Sequence, residues 1–77
     1  FEVFPNPASD NISIRTGKDI AIEKVAIYSV NGVKLIEEIL PFRKNETTLD
    51  AGPLPPGFYF VHLSTSAGTG IRKIQVM

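Results

Sequence analysis

Apolar and polar residues alternate along this chain in short runs separated by turn residues, and the runs recur about every ten residues. A period of two is that of a half-buried strand, so the pattern predicts an all-β sandwich or barrel and gives helix little support. Residues 11–16 place Ile12 and Ile14 on one face and Ser13 and Arg15 on the other. Residues 25–30 form a second strand rich in β-branched and aromatic positions. Asn31-Gly32 follows, a pair that tolerates positive φ at both positions, and predicts a two-residue type I′ hairpin returning along 33–40. Pro41 ends that strand, and 46–50 form a short one with Leu49 inward. The run 51–57 is crowded with proline and glycine and reads as a corner between sheets anchored by Leu54. Residues 58–64 carry the strongest strand signal. A turn at Ser66-Ala67-Gly68 then leads to a closing strand over 70–76 with Ile74 and Val76 inward.

Length confines this pattern to one domain, because 77 residues cannot shelter two cores. At 43% hydrophobic and 21% charged residues the chain lies in the globular range, away from the composition of disordered segments. Without cysteine there is no disulfide, thiolate metal site or redox chemistry, so strand pairing and a thin core must hold the fold. Eight basic and eight acidic residues cancel, which removes the long-range field that draws proteins to nucleic acid or anionic lipid. No apolar run reaches the roughly 20 residues of a membrane-spanning helix, and no signal-peptide pattern opens the chain. Because it starts at Phe1 instead of methionine, we expect a piece of a longer polypeptide, with any export signal upstream.

Candidate chemistry is thin. His62 is the only histidine, without a sequence partner, and reads as a surface or rim residue. Asp10, Asp19 and Asp50 are scattered, and nothing has the ligand spacing of a calcium or zinc site, so no metal or cofactor is expected. The glycines at 52, 57, 68 and 70 are turn glycines, since no glycine-rich loop leads into a helix with a lysine. Asn11-Ile12-Ser13 and Asn45-Glu46-Thr47 match the short N-glycosylation pattern, which recurs by chance. On the strongest strand only one face can fill a two-layer core, so with Tyr59, Val61 and Leu63 inward, Phe58, Phe60 and His62 point outward. Such aromatics either form a binding surface for protein or sugar or lie under a neighbouring loop or the amino-terminal segment; the covered arrangement is expected. Arg72 and Lys73 read as solvated charges on an edge strand, where they oppose wrong pairing.

Three islands change this picture when taken in order: Phe4-Pro5-Asn6-Pro7-Ala8-Ser9-Asp10, then Val25 through Tyr28 to Asn31-Gly32, then Gly57-Phe58-Tyr59-Phe60-Val61-His62-Leu63. With the turn at Gly68 and the final Lys73-Ile74-Gln75-Val76, the set resembles the C-terminal sorting domain of the type IX secretion system, from about Val3 to Val76. The chain departs from the family's usual pattern in having Phe4 for tyrosine and Ser29 for an acidic residue. It also stops at Met77 where a basic residue is common, so a terminal residue or two is expected to be missing.

The resemblance implies an immunoglobulin-like β-sandwich of about seven short antiparallel strands in two sheets. It implies the last module of a larger protein of Bacteroidetes-type bacteria, with a cargo domain attached on its amino-terminal side. Such a module is a substrate of the type IX translocon and not an enzyme. It folds in the periplasm, carries its cargo to the cell surface or medium, and is commonly cut off by a sortase-like surface peptidase that joins the cargo to anionic lipopolysaccharide. Lys73, Ile74 and Val76 are the expected recognition residues on a strand open to β-augmentation, with Pro5, Asn6, Pro7, Asn31, Gly32, Gly57, Tyr59 and Gly68 as structural motif residues. The expected state is a monomer or weak edge-strand dimer, without nucleic acid or membrane insertion. The alternatives are a carbohydrate-binding or adhesion sandwich using Phe58, Phe60 and His62, and an inert fibronectin-like spacer.

Overall fold

Every run of alternating residues becomes a strand in the computed structural model, which describes residues 1–5 and 10–77. In chain order the elements are β1 (Glu2–Phe4), β2 (Asn11–Arg15), β3 (Ile22–Ser29), β4 (Lys34–Ile39), β5 (Glu46–Asp50), β6 (Gly57–Thr65) and β7 (Gly68–Val76). They form a three-stranded sheet, β1-β2-β5, and a four-stranded sheet, β4-β3-β6-β7, with every neighbouring pair antiparallel. No helix occurs among the described residues.

The core is the two inner faces closed on each other. Ile12, Ile14 and Leu49 from the smaller sheet meet Val25, Ile27, Tyr59, Val61, Leu63, Ile74 and Val76 from the larger, all buried. These positions recur every second residue on β2, β6 and the end of β7, as burial of one face per sheet requires. On β3, Ile22 and Val25 are both buried although three apart. A register irregularity between Ile22 and Lys24 in the pairing with β6 absorbs the odd residue and resets the phase. That reset is why alternation places the start of this strand at Val25, three residues too late.

Two further elements differ from their sequence expectation. The β3–β4 connection is not a two-residue type I′ turn, because no residue other than glycine has positive φ among the described residues, so Asn31 stays in the ordinary region. The Gly32 amide donates to the Ser29 carbonyl at 3.0 Å, and the Ser29 amide donates to the Val33 carbonyl at 2.9 Å. Gly32 alone, at φ 86°, takes the left-handed conformation, the pattern of a three-residue loop with glycine in third place. The antiparallel pairing of β3 with β4 is as expected, and only the turn that makes it is different. Strand β1 was not anticipated either: three residues are too few to show a period, and it exists through pairing with β2, Val3 opposite Ile14.

The corner after β5 does carry the chain from one sheet to the other, with Leu54 buried beneath it and its amide bonded to the Ala51 carbonyl at 3.0 Å. At the opposite end the crossing from β2 to β3 is held by the buried Thr16 hydroxyl, which lies 2.7 Å from the Ile20 carbonyl and 3.2 Å from that of Asn45. The Ile22 amide donates to the Lys44 carbonyl at 2.7 Å, and Ala21 and Ser66 exchange two bonds. These contacts gather the β2–β3, β4–β5 and β6–β7 loops at one pole. The other pole holds Gly32, the corner and Val76, which lies opposite Gly57.

Candidate functional site

Strand β7 is an edge strand of the larger sheet, bonded to β6 on one side and to no described strand on the other. Its inner-facing side chains, Ile74 and Val76, are buried in the core, so of the anticipated recognition residues only Lys73 offers its side chain to solvent. Ile74 and Val76 fix the strand's register on the core and leave its outer backbone groups at the edge.

Lys73 lies on the outer face with its ammonium 4.7 Å from the centre of the Phe58 ring. Phe58 is half exposed, while Phe60, opposite Lys73, and His62 are half-buried. The outward direction of these three aromatics agrees with the alternation. Side chains of neighbouring strands lie against two of them: the Tyr28 ring sits 4.2 Å from that of His62, and Lys73 lies over Phe58. The amino-terminal residue packs elsewhere. Phe1 reaches β7 near Gly70, where a β-carbon would stand 2.7 Å from its ring, and the Arg72 guanidinium covers that ring at 4.6 Å. Phe1 thus joins the edge β1 of one sheet to the edge β7 of the other. Sequence reasoning missed this clasp, since nothing local links residue 1 to residues 70 and 72; a glycine interrupting an edge strand was its one visible sign.

The structural motif residues divide between the poles. Tyr59 is buried at the start of β6, and its hydroxyl donates to the Pro55 carbonyl, tying the strand to the corner it has just left. A tyrosine bonded to backbone just upstream at a sheet-to-sheet corner is a device of immunoglobulin-type sandwiches. Gly57 begins the same strand, and Gly68 takes φ 127° where β6 turns into β7, a conformation that side chains disfavour. The Thr65 hydroxyl braces that turn through the Gly68 carbonyl and the Ala67 amide, at 2.8 and 3.1 Å. Pro5 follows β1 directly; Asn6 and Pro7 lie outside the described residues.

Two small ion-pair groups lie on the sheets. Arg15 lies between Glu2 and Glu46, at 3.4 and 4.0 Å, and Glu37 between Lys34 and Lys24, at 2.8 and 3.8 Å. The hydrogen bond from Lys34 holds the Glu37 carboxyl below the usual carboxylate range, and the same bond raises Lys34. Among the described residues no three metal-capable side chains come together. No helix there is long and apolar enough to cross a membrane.

Comparison with known proteins adds one finding: the family model described as a secretion system C-terminal sorting domain matches residues 2–77. Searches of curated proteins and of solved structures returned no match.

Proposed function

Because the chain belongs to the family of secretion system C-terminal sorting domains, we propose that its edge strand β7 is the surface by which the type IX translocon engages it. The domain is a C-terminal sorting signal for type IX secretion, and with it come an attached cargo and export across the outer membrane to the cell surface or medium. The match over nearly the whole chain carries this reading. The mechanism proposed for it rests on β7, an open strand whose register is set by the burial of Ile74 and Val76 and whose outer face presents Lys73. A receptor strand would add to that edge through main-chain bonds, with Lys73 supplying side-chain discrimination.

In the same reading the domain is a substrate and not a catalyst, forms the last module of its protein, and folds in the periplasm before export. A sortase-like surface peptidase then cuts on the amino-terminal side of Phe1. The layout supports that order: Phe1 and the end of β7 lie at opposite poles, so a receptor on the carboxyl-terminal half of β7 leaves the cargo junction accessible. The strand order also accords with an immunoglobulin-like plan, β1-β2-β5 against β4-β3-β6-β7. The monomer is favoured, since the second free edge of the larger sheet, β4, carries Lys34, Glu37 and Glu38, charges that oppose pairing with another copy.

The test joins the domain to the carboxyl end of a folded fluorescent reporter bearing a periplasmic export signal, in a type IX host and its translocon-null mutant. Reporter outside the first and trapped in the periplasm of the second is the expected result. Lys73→Ala should lower export while leaving the unfolding free energy within about 0.5 kcal/mol of the parent, as for an exposed position. Export unaffected by Lys73→Ala and by a proline placed on the β7 edge would remove β7 from recognition.

A further inference from the structure

Net charge of zero hides an uneven distribution of partners. Of the eight basic residues, Arg15, Lys24 and Lys34 sit in ion pairs, and Arg72 and Lys73 lie over aromatic rings. The three that remain, Lys18, Arg43 and Lys44, have no ion pair or ring contact among the described residues, and all three line one concavity of about 230 Å³. It lies at the Phe1 pole between the β2–β3 and β4–β5 loops, with Asn45 as a neutral polar wall and Asp19 as its one carboxylate.

The walls are fixed from below. Thr16 and Ile22 bond to the Asn45 and Lys44 carbonyls at 2.8 and 2.7 Å, and the Ile20 amide bonds to Gly17 at 3.0 Å. The two loops therefore hold a constant spacing while their basic side chains stay exposed. Like charges in one hollow repel, and a surface without a ligand to bind would be expected to intersperse them with carboxylates, as both sheets of this molecule do. Three cations against Asp19 leave a local surplus of positive charge, and unlike Arg72 and Lys73 these cations have no aromatic ring beneath them among the described residues.

We infer that the concavity formed by Lys18, Arg43 and Lys44 is an anion-binding site for a phosphate ester. Arg43 provides a planar fork for two oxygens, the two ammonium groups provide point charges, and the hollow has room for a phosphate together with part of what it esterifies. The site is separate from the edge proposed for the translocon, and either assignment can fail without the other.

The experiment is a titration of the 15N-labelled chain with inorganic phosphate, and in parallel with glucose 1-phosphate, at constant ionic strength against a chloride control. Saturable amide shifts confined to residues 17–21 and 43–45 are expected. Arg43→Ala or the pair Lys18→Ala with Lys44→Ala should weaken binding by about tenfold or more, while Lys73→Ala leaves it unchanged. All three positions are exposed, so these variants retain the fold. Sedimentation with vesicles of phosphatidylcholine and phosphatidylglycerol distinguishes the source. Capture lost in the Lys18/Lys44 pair variant assigns a lipid phosphate, and soluble binding without capture assigns a free ester. Shifts equal in chloride, shifts spread over the surface, or affinity indifferent to the three substitutions would overturn the site.

Discussion

Two side chains show how one residue can hold distant segments of this fold together. Phe1 fills the space that Gly70 leaves on β7, so Gly70→Ala must push the ring away, and with it the stacked Arg72. What the added β-carbon meets is the edge of a side-chain ring and not backbone, so the cost should be only about 1 kcal/mol, the low end for overpacking. Because Phe1→Ala removes the same contact, the double variant should cost little more than either single one, which a double-mutant cycle by urea unfolding measures. Tyr59→Phe keeps the ring and deletes the bond to Pro55, for an expected loss of about 1 kcal/mol. The Glu37 carboxyl, depressed by its bond to Lys34, contributes stability above the unfolded value of about 4.5, and that contribution fades as pH falls through the folded value. Lys34, raised by the same bond, contributes below about 10.5 and loses the contribution as pH climbs through its folded value. Both groups are exposed, so the measurable effect is in titration: Lys34→Met should return the Glu37 carboxyl resonance toward an ordinary midpoint.

At the scale of the element, burial decides how much a strand tolerates. Ile27 is fully buried at the centre of β3, the strand joined to both β4 and β6. Ile27→Ala should destabilise by about 2–5 kcal/mol, a large part of what so small a domain has. Thermal unfolding should show a collapse of the transition, not a modest shift. Alternation was enough to place β2, β5, β6 and the end of β7, because each buries one face and leaves the other wet. It failed at β3, where the irregularity after Ile22 breaks the period, and at β1, whose three residues gain their conformation from β2. The Asn31-Gly32 pair correctly signalled a hairpin, but only Gly32 uses the conformation that would have required both residues to turn left.

For the whole molecule the arrangement of ends matters most. Glu2 pairs with Arg15 at one pole and Val76 with Gly57 at the other, across a body 33 Å in its longest dimension. A folded reporter placed before Phe1 therefore extends away from the carboxyl end of β7, whereas one placed after Met77 sits against it. Moving the reporter to the carboxyl side should leave the sandwich folded, as amide spectra would show, while abolishing export and trapping the fusion in the periplasm. Export in that orientation would mean that the end of β7 is not read.

The order of the short motifs, from Pro5 through Gly32 and Tyr59 to Lys73, identified the family, and the two-residue period identified the all-β class. Both are written in local sequence, where turn chemistry and alternation act within a few residues. The sequence by itself also showed that Ile12, Ile14, Val61, Leu63 and Ile74 belong inside, because one face of each strand must leave water. Only the tertiary structure decided the order of the strands within each sheet, that Phe1 closes on Gly70, and that Lys18, Arg43 and Lys44 meet in one hollow. Those facts depend on contacts between residues some 25 to 69 positions apart, and such contacts follow from how two sheets close on each other, which no local pattern encodes.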